Sequence, residues 1–79
     1  MSETVLYTVA REGAPMVALG EGWTAPVDNA RGAYGAAVET ARQLHKATLG
    51  EHHVVREERV RNQGGVRSNR TVFSTRTSV

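Results

Sequence analysis

Hydrophobic and polar residues alternate with period two at both ends of the chain and with period 3.6 in the middle. Residues Thr4 to Arg11 read Thr-Val-Leu-Tyr-Thr-Val-Ala-Arg, which sends Val5, Tyr7 and Val9 to one face and Leu6, Thr8 and Ala10 to the other. Glu12-Gly13-Ala14-Pro15 is a turn signal, and Met16 to Leu19 resumes the extended pattern, so the first twenty residues predict a hairpin. Gly20-Glu21-Gly22 is expected to end its second strand, because glycine is poor in a strand interior, leaving Trp23 to Asp28 as a connector.

From Val27 the apolar positions follow a helical stripe. Val27, Ala30, Tyr34, Ala37, Val38, Ala41, Leu44 and Thr48 fall together, while Arg31, Glu39, Arg42, Gln43 and Lys46 lie away from them. Asp28 is the expected N-cap, Lys46 suits the negative end of the helix dipole, and Gly50 is the expected C′ stop. The small Ala side chains would let this helix lie close to a sheet.

His53 to Arg61 and Val66 to Thr77 form a second extended pair around Asn62-Gln63-Gly64-Gly65. Setting Arg61 opposite Val66 pairs Val55 with Val72, Glu57 with Arg70, and Val54 with Phe73. A slip of two residues would instead oppose Arg59 and Arg70. Facing apolar and opposite-charge pairs favour the first register by a few tenths of a kcal/mol per pair. The expectation is one α+β domain over residues 1–79, in the order β-β-α-β-β, with an antiparallel sheet and one helix packed on one face. Residues 74–79 would extend a strand or fray. This order of elements, over roughly residues 4–60, resembles that of small antitoxins of the HicB type, in which strands precede an Ala-rich helix. The likeness is one of order alone, so no residue role is carried over.

Composition changes the picture by making the core thin. The 31 apolar residues include ten Ala and no Ile, and Leu, Val and Phe together number only 16 of 79. A chain of this mass buries about 60% of its unfolded surface, near the low end for independent domains. Net charge is only +2, so the disorder signature of low hydrophobicity with high charge is incomplete. A folded domain that completes its core with a second copy or a partner is the resulting expectation.

Several chemistries are disfavoured. With no Cys there is no thiol nucleophile, thiolate metal site or disulfide framework. His45, His52 and His53 are the only metal candidates, and adjacent strand residues point apart, so no metal or other cofactor is expected. The serines Ser2, Ser68, Ser74 and Ser78 sit in no nucleophile motif, and Glu57 and Glu58 alternate faces, so neither an enzyme nor a small-molecule substrate is expected. The N-terminus has no basic leader and no apolar run approaches a membrane span, which predicts a cytoplasmic protein without membrane association. Nine Arg to one Lys hints at a GC-rich coding sequence, as in an actinobacterium or its phage.

Two functional expectations follow. The first is a non-enzymatic protein–protein interaction module, a homo-oligomer or the ligand of a partner protein, with Trp23, Val55 and Val72 as contact residues. The second is nucleic-acid binding. Residues 1–50 carry a net charge of −1 and residues 51–79 a net charge of +3. Arg59, Arg61 and Arg70, with Arg76, would then lie along the C-terminal hairpin and track phosphates. Against this stands the single aromatic residue there, Phe73, which leaves little base stacking, and the availability of Glu57 and Glu58 as cross-strand partners.

Overall fold

A computed structural model describes residues 3–13, 17–61 and 68–76; for Arg61 only the backbone is described. Ala14 and Pro15 of the expected first turn, Met16 of the strand expected after it, the expected turn at Asn62 to Gly65, the Arg61–Val66 opposition, Arg67, and the tail from Thr77 to Val79 lie outside those residues. Four strands, β1 (Glu3–Arg11), β2 (Ala18–Pro26), β3 (His53–Arg61) and β4 (Ser68–Ser74), make one antiparallel sheet in the order β2-β1-β3-β4. Between β2 and β3 come a single 3-10 turn, Val27–Asn29, and the helix α1, Arg31–Ala47. The protein is an α+β fold.

Register puts Tyr7 opposite Glu57 and Val9 opposite Val55 across β1 and β3, so the odd residues of both strands share a face. Val5, Tyr7, Val9 and Val55 on that face form the core with Ala37 and Ala41 of α1. Trp23, Tyr34, Val38, Leu44, Val72 and Phe73 pack around them. Val5, Tyr7 and Val9 share a face and α1 uses the helical stripe, both as expected, and the structure adds that this strand face is the one in the core. The largest fully buried side chains are Val5, Val9, Val55 and His53, which is little bulk for a chain of this length.

Both outer strands are interrupted. Across β1 and β2, Tyr7 pairs with Trp23 but Val9 pairs with Leu19, so Gly20, Glu21 and Gly22 face the single residue Thr8. Sequence reading ends the strand at these glycines; instead β2 bulges through them and continues to Pro26. Gly20 and Gly22 have φ of +84° and +87°, and a Cβ at Gly22 would lie 2.6 Å from the Tyr7 carbonyl oxygen. The glycines bend the strand without ending it, and Trp23 to Pro26 is strand rather than connector.

In the second hairpin, Glu57 pairs with Arg70 and Arg56 with Thr71, as the charge argument requires. Beyond them Val72 is an extra residue, so Val55 meets Phe73 and Val54 meets Ser74. The expected Val55–Val72 and Val54–Phe73 pairs are displaced by that one-residue bulge. Thr75 is buried: its Oγ1 accepts from the His53 amide at 2.9 Å, and its own amide donates to the His53 carbonyl at 2.9 Å. Fraying therefore does not begin at Ser74.

Both helix ends also differ from expectation. Asp28 lies in the 3-10 turn, and Ala30 occupies the N-cap without a side-chain bond. At the other end the Gly50 amide donates to the His45 carbonyl (2.9 Å) and the Leu49 amide to the Lys46 carbonyl (3.3 Å). This is a Schellman closure with Thr48 as C-cap, so C′ is Leu49, at φ +59°, and Gly50 is C″.

Candidate interaction surface

Among the described residues, the large apolar side chains that the fold leaves outside its core are Val17 (60% exposed), Leu19 (41%) and Leu49 (98%). Leu19 pairs with Val9 and so points to the core face, but β2 is the outermost strand there. Leu44, from the last turn of α1, and its C-cap Thr48 complete a shallow apolar cleft with Val17 and Leu19, joined by Arg11, Glu51 and His53. Leu49 follows Thr48 directly. Its left-handed backbone costs an L-residue with a Cβ about 1 kcal/mol, which is why glycine or asparagine usually stands at C′. A leucine held at a strained position with its whole side chain in water has no role in this chain's own packing. Arg11 and Glu51 form a long ion pair of 3.8 Å between half-exposed side chains.

At the centre of the same sheet face sits a buried carboxylate. Glu57 Oε2 accepts from the Tyr7 hydroxyl at 2.9 Å, and Oε1 accepts from Arg59 Nε at 3.1 Å and from Arg70 Nε at 3.4 Å. Burial pushes the Glu57 carboxyl up. The hydrogen bonds from Tyr7 and Arg59 and the charges of Arg59 and Arg70 outweigh it, leaving the group below its ordinary value. Burial, then the adjacent Glu57 carboxylate, raises the Tyr7 phenol. The Tyr7 ring meets Tyr34 edge-on at 5.5 Å, which ties the network to α1.

The expected nucleic-acid residues are mostly engaged with carboxylates. Arg59 and Arg70 share a face, as expected, but both turn to Glu57, and Arg76 holds Glu12 at 2.7 Å. The backbone of Arg61 pairs with Glu3. On the opposite face Arg56 donates twice to Asn69 Oδ1, at 3.1 and 2.9 Å. Among the expected partner contacts, Val55 is wholly buried in the chain's own core. Trp23 and Val72 are half-buried against that core, and the Val72 carbonyl accepts a long 3.5 Å hydrogen bond from the Tyr34 hydroxyl. The structure does not bring Trp23 and Val72 into the cleft with Val17 and Leu19.

The histidines join elements. His45 and His53 both donate from Nδ1 to the Glu51 carbonyl, at 2.9 and 3.0 Å, and the His45 and His52 rings stack at 5.2 Å. Among the described residues no group of three His, Cys, Asp or Glu side chains is placed to hold a metal ion, and no helix is long and apolar enough to cross a membrane. No protein-family model, curated protein or solved structure matches the chain.

Proposed function

We propose that this chain is a non-enzymatic protein–protein contact module that binds through the cleft of Val17, Leu19, Leu44 and Thr48, with Leu49 as its projecting anchor. We further read the architecture as one helix covering one sheet face, with Leu6, Thr8, Arg56 and Glu58 half-buried and Ala10 and Val54 buried on the other. The observation that carries the reading is Leu49, strained and 98% exposed. Backbone strain persists where the surrounding structure imposes it, and it concentrates at binding positions. Exposed aliphatic residues, Val17 and Leu19 in the cleft and Leu49 next in the chain to its Thr48, supply the apolar area on which association depends. The thin core adds support, because a small domain gains from covering such residues. Nucleic-acid binding has less support, since Arg59, Arg70 and Arg76 already face carboxylates.

A photo-crosslinking amino acid placed at Leu49 in the full chain, expressed in its own cells, tests this. Covalent protein adducts are expected at that position and not at the control position Gln43, on the polar side of α1. If neither position yields an adduct, the contact-module reading is wrong.

A further inference from the structure

We infer that the cleft of Val17, Leu19, Leu44 and Thr48 is occupied by a second copy of this chain, the two related by a two-fold axis beside the Arg11–Glu51 ion pair. The inference rests on the proposed contact role of the cleft and names its partner.

Charge provides the first argument. The cleft is bordered by one cation and one anion, Arg11 and Glu51, exposed at 63% and 47% and only 3.8 Å apart. A border of this kind has no net sign with which to select an acidic or a basic partner. It does complement itself: a two-fold axis passing beside the pair sets two Arg–Glu dipoles antiparallel, so each Arg11 gains the other copy's Glu51 and each Glu51 the other copy's Arg11. At 3.8 Å between exposed side chains, the pair contributes little within one chain. Four alternating charges over an apolar contact are less screened and worth more.

The second argument is the nature of the apolar surface. Val17, Leu19 and Leu49 are aliphatic side chains of similar size, which suit packing against an equivalent set. The bulge at Gly20 to Gly22 disfavours association by strand addition along β2, and so directs the contact to side chains. Burying Leu49 against a copy also gives a reason for leucine, rather than glycine, at a left-handed position.

Sedimentation equilibrium of the full chain from about 1 to 300 μM tests the inference, with thermal melts followed in parallel by circular dichroism. The wild type should fit a monomer–dimer equilibrium. Removing one buried leucine contact from each copy, by Leu49→Gly or Leu19→Glu, should raise the dissociation constant at least about tenfold. Leu49→Gly should do so without lowering the melting temperature of the monomer, because it relieves strain. Arg11→Glu and Glu51→Arg should each weaken the dimer, and the double exchange should restore it. A chain that stays monomeric throughout, or a dimer indifferent to both leucine substitutions, overturns the inference. In the monomeric case the crosslinker at Leu49 separates two failures. Adducts with a different protein dismiss only the second copy, whereas no adducts dismiss the contact role as well.

Discussion

The Tyr7 hydroxyl donates to Glu57 Oε2 at 2.9 Å across the β1–β3 ladder, and the two residues are direct register partners. A carboxylate in the middle of a thin core is tolerable only with its oxygens engaged, and here Tyr7, Arg59 and Arg70 engage them. Tyr7→Phe leaves the ring contact with Tyr34 in place and removes one charge-assisted bond. It should cost about 1.5–3 kcal/mol. For a domain of this size that lowers the melting temperature by roughly 6 °C or more. A melt of Tyr7→Phe superimposable on the wild type would show that the hydroxyl contributes nothing.

The same network sets an acid limit on stability. The Glu57 carboxyl is lowered from its ordinary value of 4.5 in the folded chain. A depressed folded value means that the unfolded chain binds the proton more readily. The contribution is therefore complete above about pH 4.5 and is lost as pH falls through the folded value. The Tyr7 phenol moves the opposite way, raised from 10.0, so its contribution is complete below pH 10 and is lost as pH rises through the folded value. Denaturant midpoints measured from pH 2 to 6 should fall steeply at the acid end for the wild type and more gently for Glu57→Gln. Equal slopes would exclude Glu57 as a principal acid-sensitive group.

Glycine substitutions separate two kinds of backbone constraint. Gly22→Ala meets both a φ of +87° and the Tyr7 carbonyl oxygen at 2.6 Å, and should cost about 3 kcal/mol or more. Gly20→Ala has φ +84° but open space around it, and should cost only about 1 kcal/mol. Gly32→Ala and Gly35→Ala, in open space on α1, should each stabilise by about 1 kcal/mol. Urea titrations of the four variants rank them directly. If Gly22→Ala were as mild as Gly20→Ala, the close approach of Gly22 to the Tyr7 carbonyl would not hold in solution.

Leu49 offers a complementary measurement of strain. Leu49→Gly should stabilise the monomer by up to about 1 kcal/mol by relieving the left-handed C′ position. Leu49→Ala keeps the strain and deletes only solvated methyl groups, so it should be neutral. Were Leu49→Gly destabilising instead, the leucine would be contributing to the fold, and its exposure would carry no functional meaning.

Arg59 and Arg70 test the choice between structural and nucleic-acid roles. Arg59→Ala should lower the melting temperature by loosening the anchorage of Glu57, while leaving any affinity for duplex DNA at low salt unchanged. An affinity for DNA that falls steeply with salt and disappears in Arg59→Ala would reverse that assignment.

Much of the architecture could be read from period and charge. The Val5, Tyr7, Val9 face and the stripe through Ala37 and Ala41 were legible because a buried face repeats at the element's own period. The Glu57–Arg70 pairing was legible because a two-residue slip would have set Arg59 against Arg70, like charge against like. What escaped was local departure from period. A glycine pair that ends one strand and a pair that kinks another look alike in sequence, so the pattern predicts a connector over Trp23 to Asp28 where β2 in fact runs on to Pro26. The extra residue Val72 leaves no compositional mark. Leu49 is illegible for a related reason: its exposure shows itself only once the helix closes on Gly50 at C″ and forces the residue before it into a left-handed turn.

The interruptions in β2 and β4 have a consequence for how far association can go. An unbroken outer strand is a template that accepts another strand and then presents a fresh edge of its own, so chains could stack end upon end into fibrils. Here Gly20 to Gly22 disturb the hydrogen-bonding row on one flank and Val72 disturbs it on the other, which caps the sheet on both sides. With Val17, Leu19 and Leu49 exposed, the chain thus carries apolar side chains beside outer strands whose irregularity works against strand-upon-strand stacking.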